Sequence, residues 1–183
     1  MGLDMYLKCN SRKVCQEIND PDDFMESYDR EHGFAVTWRK ANAIHKWFVD
    51  HVQNGNDDCG DYPVSVEELA LLHDTCKTVL DSTKLVEGTV YNGYTFKNEQ
   101  MEPITEKGLI LEDTSVAEEL LPTQSGFFFG SVHYDQWYWW DLEYTVDKLG
   151  KILDMLKPSG KYGGVVHKDE PDWYVKFQYH SSW

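Results

Sequence analysis

Both ends of the chain alternate apolar and polar side chains with a period of two. In 3-LDMYLK-8, Leu3, Met5 and Leu7 oppose Asp4, Tyr6 and Lys8; in 173-WYVKFQY-179, Trp173, Val175, Phe177 and Tyr179 oppose Tyr174, Lys176 and Gln178. Only an extended chain puts every second residue on one face, so each end reads as a half-buried strand. Terminal strands fray unless something holds them, and placing both in one antiparallel sheet does so. The chain is therefore expected to return to its starting point.

Helices are expected to be grouped between those strands. The first runs from about Thr37 to about Val52, with Trp38, Ala41, His45, Phe48 and Val52 on one face at spacings of three and four. Gln53-Asn54-Gly55-Asn56 stops it. The second opens at Ser65, whose spacing to Glu68 is that of a capping box, and buries Leu69, Leu72, Cys76 and Leu80. The third takes Asp135 as its N-cap, carries Leu142, Val146, Leu149, Leu153 and Leu156, and ends at Lys157-Pro158. A shorter turn fits 114-TSVAEELL-121. Between Thr83 and about Leu111, TVYNGYTF suggests a small hairpin with Asn92-Gly93 at its tip. The segment 20-DPDDFMESYDREHG-33 reads as an acidic loop or irregular helix, and FFFGS as a buried strand running into a turn.

Strands at the ends with helices between them favour an α+β fold over a parallel βαβ array. The expected architecture is an antiparallel sheet that includes both termini, packed against about three helices. A chain of 183 residues with 41% hydrophobic content fits one domain, 1–183, with a hairpin excursion at about 83–111.

Charge narrows the function classes. Thirty-two acidic residues against 17 basic leave a formal charge of −15, which opposes general binding to nucleic acid or to an anionic membrane surface. No window has the length of a transmembrane helix, and the opening MGLDMYLKCNSRK lacks the pattern of a secretory signal, so a cytosolic protein is expected. Cys9, Cys15, Cys59 and Cys76 form no CxxC pair and read as free thiols.

Catalytic motifs are lacking. The chain has no GxSxG, P-loop or GxGxxG, and so gives no sign of a cofactor or a nucleophile elbow. His73 and Cys76 are one turn apart, but no second pair with ligand spacing accompanies them, so no metal is expected. His45, on an apolar helix face, reads as a hydrogen-bonded core histidine.

Two binding constellations remain. Within 127-FFFGSVHYDQWYWWDLEY-144, nine of eighteen residues are aromatic, inside a region from Gly108 to Asp147 that has eight acidic residues and no Lys or Arg. On a helical period Tyr138 and Trp139 extend the buried stripe. Trp137, Trp140 and Tyr144 point elsewhere, alongside Asp141 and Asp147, as an acidic aromatic surface for a partner. The other constellation is Arg39, Asn42 and Lys46, which form a polar stripe if all three lie on the first helix. In a chain with only three Arg, this stripe is the best candidate anion site.

The blocks MGLDMYL, WRKANAIHKWF, LPTQSGFFFGSVHYDQWYWWDLEYTVDKL and the closing YHSSW together resemble a family of small uncharacterised proteins encoded by bacteriophages and prophages. The blocks span most of the chain. The resemblance implies an accessory phage protein acting in the cytoplasm of a bacterial host, and it carries no activity over to any residue. The first function expected on these grounds is binding and inhibition of a host defence factor with a basic surface, such as a CRISPR effector, through the acidic aromatic surface. The alternative is a protein that binds or processes a nucleotide or nucleotide signal, with Arg39, Asn42 and Lys46 on the phosphate.

Overall fold

The computed structural model describes residues 2–97, 100–126, 128–160 and 175–183. Its main sheet has four antiparallel strands in the order β2-β1-β6-β3. The central pair is β1 (Asp4–Cys9) and β6 (Phe177–Ser182), in register from Asp4 opposite Ser182 to Cys9 opposite Phe177. The two ends of the chain are thus hydrogen-bonded to each other. Met5, Leu7 and Cys9 face inward from β1; Phe177, Tyr179 and Ser181 do so from β6. The strand at the C-terminal end begins later than the alternation suggests. Val175 is buried as expected, and Trp173 lies outside the described residues.

The outer strands are β2 (Phe34–Arg39), beside β1, and β3 (Asp61–Val64), beside β6. Pro63 is tolerated in β3 because an edge strand has one side free of ladder bonds. Strand β2 corrects the expected helix from Thr37. Residues 37–39 are strand, with Met5 opposite Trp38 and Asp4 opposite Arg39, and the helix α3 (Asn42–His51) begins only after a sharp corner at Lys40, where φ is +60°. Val36 and Thr37 are β-branched and suit a strand. Trp38, Ala41, His45 and Phe48 are all buried, as their spacing implied, but they reach the core from both sides of a strand-to-helix corner.

Two helices precede that corner. The first, α1 (Arg12–Ile18), has no counterpart in the sequence reading. The acidic segment forms a regular helix, α2 (Phe24–His32), which starts at the Asp23 side chain and ends on Gly33 in the left-handed conformation. After β3, α4 (Val66–Ser82) carries the expected capping box, in which Ser65 and Glu68 each satisfy the other's backbone N–H. Its buried residues Leu69, Leu72, Cys76 and Val79 pack along α6 (Gln136–Leu156).

Helix α6 departs from the expected stripe. Leu142, Leu149 and Leu156 are buried, but Thr145, Lys148 and Ile152 share the seam with them, while Val146 and Leu153 are only partly covered. Polar groups here serve as ties. The Trp38 indole N–H donates to Thr145 Oγ1 at 2.9 Å, which joins β2 to α6. The Lys148 ammonium reaches Glu26 Oε1 at 2.6 Å, the Ile18 carbonyl at 3.2 Å and Asn19 Oδ1 at 3.3 Å, which fastens α6 to α1 and α2. His45 is fully buried and satisfied on both nitrogens: the Tyr179 hydroxyl donates to Nδ1 at 2.8 Å, and Nε2–H donates to Asp57 at 3.0 Å. Burial holds its pKa below the usual histidine value, so the neutral ring is the resting form.

A second, two-stranded sheet is the long hairpin β4 (Leu85–Lys97) and β5 (Gln100–Leu111). Asn92-Gly93 is not its tip. The pairing of Lys97 with Gln100 puts the reversal beyond it, whereas Tyr91 opposite Thr105 and Tyr94 opposite Pro103 make residues 92 and 93 a bulge facing Ile104. Gly93, at φ +87°, supplies the conformation that the bulge requires. A short helix, α5 (Ser115–Leu120), follows the hairpin. The expected strand in FFFGS is absent over the described residues. Phe128 is exposed with φ +72°, Phe129 packs edge-on against His45 at 5.3 Å, and Phe127 lies outside the described residues.

Removing Lys148 leaves the buried acceptors at Ile18 and Asn19, and the partly buried Glu26, without their donor. Lys148→Ala is expected to lower stability by about 3 kcal/mol in urea denaturation, and Lys148→Met combined with Glu26→Gln to recover most of that loss.

Candidate ligand-binding site

The β2–α3 corner, the loop from Thr123 to His133, the hairpin bulge and the first turns of α6 surround one cleft of about 700 Å³. The backbone of Leu3 sets two of these walls together. Its N–H donates to the Phe128 carbonyl at 3.3 Å, and its carbonyl accepts from Lys40 N–H at 2.8 Å. Asn42, at the start of α3, completes the clasp. It is buried, its amide group donates to the carbonyls of Phe129 (3.1 Å) and Ser131 (2.7 Å), and its oxygen accepts from Gln124 N–H at 3.0 Å. Gly130 allows the close approach: at φ +94°, a Cβ there would stand 3.0 Å from Lys40 Cβ and 3.1 Å from its carbonyl.

This geometry redistributes the predicted anion stripe. Arg39 and Asn42 line the cleft, but Asn42 spends its amide on the loop, and Lys46 is bound to Asp50 at 2.8 Å and is not part of the lining. Lys40 takes its place, with no ion-pair partner among the described residues. Arg39 has 69% of its side chain exposed and a loose ion pair to Asp4 at 3.6 Å. The cationic wall is therefore an adjacent pair on a corner, where a ligand can meet both side chains.

The aromatic surface is divided in the same way. Trp137 and Trp140 line the cleft with Asp141, and Trp140 keeps 49% of its surface exposed. Tyr144 instead packs against the core with its ring 5.6 Å from the Lys148 ammonium, and Asp147 pairs with Lys151 at 2.8 Å; neither lines the cleft. Trp139 is partly buried against the core, and Tyr138 donates its hydroxyl hydrogen to the Leu121 carbonyl at 3.0 Å. Lys40, Tyr91 and His133 also line the cleft although the sequence pattern gave them no role, the last two stacked with ring centres 4.2 Å apart. Their only signal was adjacency, to Arg39, to the Asn-Gly bulge and to the aromatic run.

Carboxylates form the wall opposite in sign. Asp135 caps α6, with Oδ1 accepting from the N–H groups of Trp137 (3.0 Å) and Tyr138 (3.3 Å), while Oδ2 is buried without a hydrogen-bond partner among the described residues. Burial raises its pKa against those two bonds, the nearby His133 ring and the Ser131 hydroxyl. Burial, with the charge of Asp135 second, pushes Asp141 up to about 7. Such a shift in a cleft marks a group held out of water without a partner. The site thus offers two cations, two under-satisfied carboxylates and several ring faces, a set suited to recognition of a small polar aromatic molecule.

Other candidate groups lie elsewhere. Cys76 is buried in the α4–α6 seam and His73 bonds Asp74 at 2.9 Å. Among the described residues no group of three His, Cys, Asp or Glu side chains could hold a metal ion, and no helix is long and apolar enough to cross a membrane. No family model, curated protein or solved structure matches the chain.

The raised Asp141 pKa has a definite sign in stability. The folded state holds its proton more tightly than the unfolded state, so the contribution is fully present below about pH 4 and is lost as pH rises through about 7. Asp141→Asn should remove that slope. Thermal melts from about pH 5 to pH 8 are expected to show the variant gaining on wild type as pH rises.

Proposed function

We propose that this chain is a binding protein whose cleft takes a small anionic aromatic ligand of the nucleotide class, a free nucleotide or a nucleotide signal. One observation carries the reading: Arg39 and Lys40 share a single cleft with Trp137, Trp140 and Tyr91. Arginine and lysine side by side suit a phosphate, one by its planar fork and the other as a mobile point charge. Indole and phenol faces suit a base, each stack contributing about 1–3 kcal/mol. A cleft of about 700 Å³ is within the range that encloses a ligand of this size. The overall charge of −15 opposes long polyanions, so the cationic corner favours a compact ligand over a nucleic-acid strand. The resemblance to phage proteins supports a setting in the cytoplasm of a bacterial host.

A second reading is favoured by a different surface. On the outer half of the hairpin, Phe96 and Met101 lie opposite each other on one face with 70% and 63% of their surfaces exposed. An exposed apolar ribbon on a chain of charge −15 suits docking to a basic host protein, such as a CRISPR effector or another defence factor, that it would inhibit. The two readings use different residues and separate under mutation.

A thermal-shift panel of nucleoside monophosphates tests the first. A saturating ligand is expected to raise the melting temperature by several degrees. Arg39→Ala and Lys40→Ala should each weaken binding about ten- to hundredfold, as loss of a charge-assisted hydrogen bond does. Lys46→Ala, outside the cleft, should leave affinity unchanged. A panel with no shift for any nucleotide would remove this reading. Host-protein capture lost on Phe96→Ser would then support the second.

A further inference from the structure

The nucleotide reading leaves the base unspecified, and the carboxylate wall of the same cleft bears on it. Resting on that reading, we propose that the cleft selects guanine, whose adjacent N1–H and N2–H donors are read by the Asp141 carboxylate on α6.

The carboxylate wall is short of hydrogen-bond donors. An ionised carboxylate only accepts hydrogen bonds and has room for about four. Asp135 fills one oxygen with two helix N–H groups and leaves the other buried and unpartnered. The Asp141 side chain accepts no hydrogen bond among the described residues, although its backbone carbonyl takes one from Thr145 Oγ1 at 2.6 Å. Neither carboxylate has a cation on it, because the loose ion pair of Arg39 goes to Asp4. The burial that pushes Asp141 up to about 7 reflects the same deficit. Whatever fills this wall must therefore bring hydrogen-bond donors.

Nucleobases differ on this point. Guanine presents two neighbouring N–H donors on its Watson–Crick edge, which match the two oxygens of one carboxylate. Adenine puts an acceptor next to its donor there. Cytosine has one donor followed by acceptors, and uracil flanks its donor with acceptors. An acceptor set against ionised Asp141 leaves two lone-pair groups facing each other, which is the strong form of discrimination, and the guanine donors favour that ionised form. The backbone of Asp141 is also tied to the strand that ends at the phosphate corner. Trp38, the neighbour of Arg39, donates its indole hydrogen to Thr145 Oγ1, and Thr145 bonds the Asp141 carbonyl. Phosphate at Arg39 and Lys40, a ring on Trp137 or Trp140, and a donor edge on Asp141 can thus be met by one molecule in one cleft.

Isothermal titration of the full chain with GMP, IMP, AMP and UMP, at a pH well above the value of about 7 so that Asp141 is ionised, tests this. IMP keeps N1–H and lacks the exocyclic amine, so it subtracts one donor. GMP is expected to bind at least tenfold more tightly than IMP and about a hundredfold more tightly than AMP or UMP. Asp141→Asn, checked for folding by its melting curve, should bring the four within about threefold of one another, by lowering GMP affinity and raising that of AMP and UMP. AMP binding as tightly as GMP, or a GMP preference that survives Asp141→Asn, overturns the guanine inference but leaves the nucleotide reading intact. A GMP preference seen only with added Mg²⁺ also overturns it, because the carboxylates would then be holding metal. No binding by any of the four overturns the nucleotide reading itself.

Discussion

The pairing of the two chain ends holds the rest of the molecule in place. Strand β1 lies between β2 and β6 and has no free edge, so the first residues of the chain are fixed on both sides. Leu3, just ahead of β1, then bonds the corner at Lys40 on one side and the loop at Phe128 on the other. Those two bonds bring the cationic corner against a loop that lies almost ninety positions further along the chain.

Around that constraint the polar side chains divide into those that are used up and those that are not. Asn42, His45, Thr145 and Lys148 are buried with their hydrogen-bonding groups engaged, and each joins elements distant in sequence. Buried polar groups of this kind fix a unique arrangement when fully satisfied. Lys40, Asp135 Oδ2 and Asp141 are the contrasting set, since each has capacity left over, and all three residues line the same cleft. Proteins leave few buried polar atoms unpaired, and Asp135 Oδ2 is such an atom in a residue that lines a concave site, where a ligand's groups would fit.

Much of this fold is legible in the sequence. The alternation at both ends, the Ser65–Glu68 capping box and the Asp135 cap are local signals with local causes, and all three stand as the residues imply. Strand β2 was hidden because a strand-to-helix corner can bury Trp38, Ala41, His45 and Phe48 at the same spacing as a continuous helix. The tie from Lys148 could not be read, since its partners at Ile18, Asn19 and Glu26 lie more than a hundred positions away. Asn92-Gly93 suits a bulge as well as a hairpin tip, and only the register of β5 decides between them. For the cleft, the sequence identified Arg39, Trp137, Trp140 and Asp141 but put them in two separate sites. Tertiary folding joins the two sets and drops Lys46, Tyr144 and Asp147.

The central claim is that these two sets form one binding site. Tryptophan indole N–H resonances report on it directly, because Trp137 and Trp140 line the cleft whereas Trp47 is buried elsewhere. In a ¹⁵N-labelled sample titrated with GMP, the Trp137 and Trp140 indole signals are expected to shift along one saturable curve, with Trp47 unmoved and the shifts absent in Arg39→Ala. Indole signals that stay in place at ligand concentrations saturating for binding, or that move equally in Arg39→Ala, would contradict the account.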